Sequence, residues 1–318
     1  MAKVLLSCNA RSTVGKKQVT CAIRRTINKR CCSSKCHELS QREIEEHVTA
    51  ATKDGFTVLR NFIPVSKIDA MSRAILPLLH KRIELGEAER GANRWYVTPP
   101  FRAPFADETI FSDPGLLSIV EGLVGKDPVL CQWASDTPMN GSEYQEIHRD
   151  TAPLFEGDLD WNAEPPMYQL GVNFPLCDVL SMEKGPLEVI RGTHRMTLED
   201  SERMKADGSA LKALEPVFMR KGDLMVRDVR GLHRGTPNNT DEPRVMIVIG
   251  YSRKWLRRPE VCVRIPESVW NRLSTRSQHL LRFEPVCPDA EIGEYSGKEG
   301  YDAKSLTQAS GKSFKGKI

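Results

Sequence analysis

Apolar positions recur at helical spacing in two stretches near the start of the chain. Ile44, Val48 and Ala51 follow Ser40-Gln41-Arg42-Glu43, a serine with a glutamate three positions on, and this pattern predicts a capped helix running to about Lys53. Asp54-Gly55 then turns the chain, residues 56–62 alternate well enough for a strand, and Ile63-Pro64 ends it. Ser66 is placed to cap a second helix with the stripe Ile68, Met71, Ile75 and Leu79; Pro77 falls inside the stripe and predicts a kink or an early end. Residues 84–108 hold Gly, Pro, Arg and aromatic residues without a period and read as a long loop.

From residue 128 to 263 the pattern changes to short apolar runs separated by Gly, Pro and Asn. Strands are predicted at 129–133, 168–174, 187–190, 224–226 and 244–251, a spacing that argues for an antiparallel sandwich or barrel. Residues 196–214 interrupt it with charged, helix-prone sequence and read as a surface insertion. The fold class expected is therefore mainly β with packing helices from the N-terminal part.

Composition divides the 318 residues unevenly. Residues 1–37 carry nine Lys or Arg and no acid, so the formal charge of +4 conceals a body of net charge −5. A basic excess confined to one segment is no argument for a nucleic-acid surface. Rich in Arg, Lys, Ser and Thr and without a continuous apolar core, the segment has the composition of an organelle transit peptide, plastid or mitochondrial; cytoplasmic residence is the alternative. Five of the nine cysteines lie there, and Cys131, Cys177, Cys262 and Cys287 of the body show no paired spacing, which fits a reducing compartment. The run Cys31-Cys32-Ser33-Ser34-Lys35-Cys36-His37 has poor zinc spacing. The longest apolar runs, such as 245–249, stop far short of the roughly 20 residues of a membrane span. The organisation expected is a leader at 1–37, one domain at 38–288 and a polar, disordered tail at 289–318.

Candidate chemistry begins with His148-Arg149-Asp150, whose first and third side chains fall on one side of an extended segment. His233 follows in Gly231-Leu232-His233-Arg234-Gly235, a turn-like stretch after a predicted strand. Two histidines and a carboxylate are the donor set of the facial triad that holds non-haem Fe(II) and leaves positions open. The competing reading of His148 and Asp150 is a surface ion pair. Arg244 heads the apolar run 245–249, where an unpaired guanidinium is costly. A planar donor there suits a carboxylate ligand; pairing with Asp241 or Glu242 is the alternative.

These residues fall within a longer series of motifs: Asp54-Gly55-Phe56-Thr57-Val58-Leu59; Gln145-Glu146-Ile147-His148-Arg149-Asp150; Glu183-Lys184-Gly185-Pro186-Leu187-Glu188-Val189-Ile190-Arg191-Gly192-Thr193-His194; Lys221-Gly222-Asp223-Leu224; and Leu232-His233-Arg234-Gly235-Thr236-Pro237-Asn238 followed by Arg244. In this order they resemble the phytanoyl-CoA dioxygenase family of Fe(II)/2-oxoglutarate-dependent oxygenases, over about 39–288. The resemblance implies a double-stranded β-helix, the jelly-roll or cupin-like fold, with Fe(II) held by His148, Asp150 and His233. It implies that Arg244 binds the distal carboxylate of 2-oxoglutarate, and that Gln145, Gln132 and Thr236 stand where relatives place polar co-substrate contacts. His194 matches a structural turn; Arg191 replaces the family's usual proline. The intact Asp150 argues against halogenation, since related halogenases lack this carboxylate. The implied reaction couples oxidation of 2-oxoglutarate by O₂ to attack on an unactivated C–H bond.

Substrate is read less directly. Arg94, Trp95 and Arg102, with Phe155 and Trp161, are expected to form an aromatic lid with two positive charges over a small, carboxylated metabolite; the alternative is that Trp95, Tyr96 and Phe101 pack beneath and the arginines pair with the body's surplus acids. Hydroxylation or oxidative cyclisation in specialised metabolism, for instance a kainoid-type ring closure, leads; acyl-CoA α-hydroxylation is the enzyme alternative, and an inactive jelly-roll binding module the other. A monomer without nucleic-acid or membrane partners is expected.

Overall fold

The computed structural model describes residues 36–86, 91–151, 154, 166–258 and 263–291. The Ser40 and Glu43 side chains each accept a bond from the other's backbone N–H and start α1 (Gln41–Asp54), which Gly55 closes with a φ of 86°. β1 (Phe56–Leu59) ends earlier than its alternation suggests, because Asp223 accepts from Arg60 Nη1 and from the backbone N–H of Asn61 and turns the chain there. α2 (Val65–Glu84) starts after Pro64 rather than at Ser66, and Pro77 does not end it. Ile68, Met71, Ile75 and Leu79 are buried on both sides of the proline, and that burial outweighs the one backbone bond it removes.

The stretch 84–108 is not all loop. It contains β2 (Arg94–Val97), with every residue buried. Trp95 and Val97 join the main apolar core, while Arg94 and Tyr96 stand on the opposite face of the strand, so no exposed polar position marks it as a strand. Two helices, α3 (Glu108–Phe111) and α4 (Pro114–Val124), follow.

The β-rich part runs β3 (Val129–Pro138), β4 (Gln169–Pro175), β5 (Leu187–Val189), α5 (Leu198–Ala206), α6 (Ser209–Ala213), β6 (Glu215–Val217), β7 (Leu224–Asp228), β8 (His233–Gly235) and β9 (Met246–Ser252). The expected insertion is thus the pair α5 and α6, and the turn-like His233 segment is a short strand. Six strands pair antiparallel in the order β1-β7-β4-β9-β3-β2, and a smaller antiparallel sheet has the order β6-β5-β8. Phe56, Met225 and Met246 of the large sheet meet Val189 and Val217 of the small one in a shared apolar cluster. The other face of the large sheet packs in the main core with α1, α2 and α4. Two antiparallel sheets facing across a core are the jelly-roll architecture. A short parallel pair, β10 (Ile265–Pro266) with β11 (Val286–Cys287), and the helices α7 (Glu267–Trp270) and α8 (Thr275–Leu280) complete the described fold.

Two expected boundaries shift. Cys36 lies in the main core, donates from Sγ to Thr109 O at 3.1 Å and has its thiol pushed up to about 12 by burial, so the folded body reaches back into the stretch read as leader. Residues 289–291 form a short 3₁₀ turn; residues 1–35 and 292–318, with the rest of the expected leader and tail, lie outside the described residues. The described cysteines Cys36, Cys131, Cys177 and Cys287 are buried thiols outside any disulfide. Among the described residues no helix is long and apolar enough to cross a membrane.

Candidate active site

The segment before Asp150 lies along the edge of the small sheet and pairs with the β8 side. Gln145 N donates to Gly235 O at 3.0 Å, His148 and His233 exchange backbone bonds of 2.9 and 3.0 Å, and Asp150 N donates to Val229 O at 3.0 Å. This extension of the sheet, invisible in local propensity, sets the two histidine rings side by side, with centroids 4.4 Å apart and planes tilted by 51°. The ligating atoms of His148, Asp150 and His233 lie within 4.8 Å of one another.

Each ring is committed to one orientation. Nδ1 of His148 donates to Glu146 O at 2.7 Å and Nδ1 of His233 to Gly231 O at 2.9 Å, which leaves both Nε2 lone pairs free. Oδ1 of Asp150 stands 3.8 Å from His148 Nε2 and 3.4 Å from His233 Nε2. Its other oxygen, Oδ2, accepts from Nη2 of Arg227 at 2.6 Å, and Nε of Arg227 donates to Asn173 Oδ1 at 3.1 Å. The Arg227 guanidinium lies over its register partner Gly171, its central carbon 3.6 Å from where a Cβ would stand, an ordinary contact distance. Burial pushes the His148 imidazole down to about 4, with His233 adding to the shift. For Asp150, burial acts upward but is outweighed by Arg227 and the two histidines, which hold it well below the usual carboxylate range. Two imidazole nitrogens and one ionised carboxylate oxygen are a fitting donor set for Fe(II).

A second polar centre lies on the inner face of the large sheet. Arg244 is 2% exposed; burial lowers its guanidinium to about 10, opposed by Asp136 and reinforced by Arg94. Nη2 of Arg244 is 3.6 Å from Asp136 Oδ2, while Nη1 of Arg94 donates to that oxygen at 2.8 Å. Arg244 does not pair with Asp241 or Glu242 in any ion pair found here, and its Nε has no hydrogen-bond partner among the described residues. Two buried guanidiniums share a single carboxylate, an excess of positive charge that suits a second anion.

The remaining expected site residues fall into three groups. Gln132 is half-buried on the inner face and donates to the Tyr96 hydroxyl at 3.2 Å. Gln145 and Thr236 are tied into the scaffold: Gln145 Oε1 accepts from Gly235 N at 2.9 Å, and the Thr236 hydroxyl donates to Pro186 O at 2.7 Å. The lid is corrected. Arg94 is a buried strand residue that also donates to Thr236 O at 3.0 Å; Trp95 packs in the main core; and Arg102 acts electrostatically on Asp289 beside α7. Their neighbour Phe101 stacks on Phe111 and Trp133, so the stretch wraps the outer face of the large sheet. Phe155 and Trp161 lie outside the described residues. His194 meets Thr52 O at 3.1 Å and packs on Gly55, consistent with a structural turn. The sequence reading missed Arg227, Asn173 and Asp136; a charge directly after the apolar run Leu224-Met225-Val226 was the signal for the first.

A model of the phytanoyl-CoA dioxygenase (PhyH) family matches residues 51–246. The chain belongs to this family of non-haem iron, 2-oxoglutarate-dependent oxygenases. Among solved structures, EvdMO1 is similar with a TM-score of 0.51 and 21% identity over 66% of this chain and 50% of its own, so this chain spans about half the length of that protein. HygX from Streptomyces hygroscopicus, with nickel and 2-oxoglutarate bound, gives a TM-score of 0.51 and 17% identity over 70% of this chain and 90% of its own. The non-heme alpha-ketoglutarate-dependent epimerase SnoN from nogalamycin biosynthesis gives 0.50 and 19%, over 67% and 82%. At these identities the likeness shows the jelly-roll fold.

Proposed function

We propose that this chain oxidises an unactivated C–H bond of a small polar metabolite, with His148, Asp150 and His233 holding Fe(II) and Arg244 holding the distal carboxylate of 2-oxoglutarate. The observation that carries the reading is the triad itself: three ligating atoms within 4.8 Å, with both Nδ1 protons spent on backbone carbonyls. When bound, iron with 2-oxoglutarate and O₂ supplies the oxidising equivalents, and 2-oxoglutarate leaves as succinate and CO₂.

The chain's own groups prepare that chemistry. His148 and His233 turn Nε2 toward the metal position because each Nδ1 is spent on a backbone carbonyl, and burial disfavours the protonated form of His148. Arg227 holds Asp150 ionised with one oxygen turned to the imidazoles. Arg244 and Arg94 offer one more positive charge than Asp136 neutralises, which anchors a dicarboxylate by its far end. The buried position of that anchor keeps water from competing for it. A carbocyclase and an epimerase share this fold, so the fold supports cyclisation as readily as hydroxylation.

The test is anaerobic addition of Fe(II) and 2-oxoglutarate to the purified chain. A weak visible charge-transfer band is expected, and it should vanish in His148→Ala and Asp150→Ala. A correctly folded protein without the band overturns the proposal.

A further inference from the structure

The inner face of the large sheet carries polar groups that the proposed metal and co-substrate contacts leave unused. Alternation along β4 sends Leu170, Val172 and Phe174 into the main core and Gln169, Gly171 and Asn173 to the inner face, where Asn173 meets Arg227. Gly171 is in register with Gly250 on one side and Arg227 on the other, and Gly250 with Gln132. At this level the Arg227 guanidinium and Asn173 overlie Gly171 and Gln132 overlies Gly250, so the floor of the face is glycine backbone overlaid by polar side chains.

Gln169 stands beside this floor. It is 1% exposed, and among the described residues neither its Nε2 nor its Oε1 has a hydrogen-bond partner; Nη1 of Arg227 is likewise buried without one. A buried amide unsatisfied at both ends destabilises a fold and calls for an explanation. Its register partner, Ser252, follows Gly250 along β9, whereas Arg244 precedes it, so Gln169 and the co-substrate anchor lie at opposite ends of the glycine floor. The backbone of Gln169 is also linked to that of the triad: Gln169 O accepts from Val229 N at 3.5 Å, and Val229 O accepts from Asp150 N at 3.0 Å.

We infer that Gln169, assisted by Nη1 of Arg227, is the specificity-determining contact for the organic substrate, an inference that rests on the proposed function. Nε2 and Nη1 donate to a carbonyl or carboxylate oxygen, and Oε1 accepts from an adjacent N–H or O–H. The substrate class is a small molecule that carries both groups side by side, as in amino acids, hydroxy acids and amides. The hydrocarbon end of an acyl chain satisfies none of the three atoms.

Two measurements test this on the full chain. The first is the melting temperature of metal-free Gln169→Leu: a residue kept for a ligand should yield a rise of a few degrees when replaced by an apolar group of similar size, whereas a scaffold amide should yield a fall. The second is succinate release from the Fe(II)-loaded protein with two probes of equal chain length, L-norleucine and hexanoyl-CoA. L-norleucine should stimulate release above the level without a probe, and Gln169→Leu and Gln169→Glu should raise its KM about tenfold, the loss of one good hydrogen bond. A lower melting temperature, an unchanged KM, a preference for hexanoyl-CoA or no stimulation by L-norleucine overturns the assignment. If the wild type fails to show the 2-oxoglutarate charge-transfer band, the proposed function itself has failed instead.

Discussion

Nη2 of Arg227 lies 2.6 Å from Oδ2 of Asp150, so one carboxylate oxygen is occupied by the large sheet while the other faces the two imidazoles of the small sheet. The contact joins the two layers of the jelly roll at the site and fixes how Asp150 can ligate. It also relieves Arg227, whose other contact is the neutral amide oxygen of Asn173.

Arg227→Met should weaken Mn(II) binding about 10- to 100-fold, the usual cost of removing a group that orients a metal ligand. The lost repulsion between guanidinium and metal works the other way, but Asp150 keeps 31% of its side chain exposed, and solvent there screens a net charge more than it replaces a fixed orientation. Free-ion electron paramagnetic resonance during titration measures the affinity. Equal or tighter binding contradicts the expectation.

The low His148 value sets a direction for pH dependence. Its folded value of about 4 lies below the ordinary 6.5, so the unfolded chain takes up the proton first. The stability of the metal-free protein is full above pH 6.5 and should fall as the pH drops from 6.5 to 4. Urea unfolding at pH 7.5, 6 and 5 should show this slope, and His148→Gln should flatten it.

Asp136 is the carboxylate that two buried guanidiniums share, so Asp136→Asn should be among the most damaging single substitutions away from the triad. A loss of about 3–5 kcal/mol is expected from stranding buried charge. Added 2-oxoglutarate should restore part of the lost thermal stability, since its carboxylate replaces the missing one. Absence of that rescue argues against a dicarboxylate at this place.

Gly235 is close-packed for a reason. An added Cβ would lie 2.6 Å from Gln145 Oε1 and 2.7 Å from Arg94 Nη1, and both of these atoms are held by hydrogen bonds. Gly235→Ala should destabilise the fold by about 1–3 kcal/mol and raise the KM for 2-oxoglutarate by displacing Arg94. Thermal unfolding and succinate-release kinetics check the two parts separately.

Much of the site was legible before folding because its chemistry is local or periodic. His148 and Asp150 announce themselves by a spacing of two in extended sequence, and Arg244 by standing against an apolar run. Arg94 and Trp95 misled for the converse reason. A strand buried on both faces has no alternation to read, so a guanidinium that neutralises Asp136 looked like one free to meet a substrate. Gln169 carried no signal at all, since a glutamine before Leu170 is ordinary until its amide proves to be unpartnered.

The sequence by itself determined the capped first helix, the short-strand architecture, the residue types of the triad and the concentration of basic residues in the first 37 positions. These depend on periodicity, capping and composition, which act over a few residues. Tertiary structure alone decided that Arg227 would hold Asp150, that Arg94 and Arg244 would share Asp136, and that Gly171 and Gly250 would meet in register on the face that carries Gln169. Each of these contacts joins strands far apart in the chain. Only the register of the antiparallel sheets fixes which side chains meet, and which charges must be balanced.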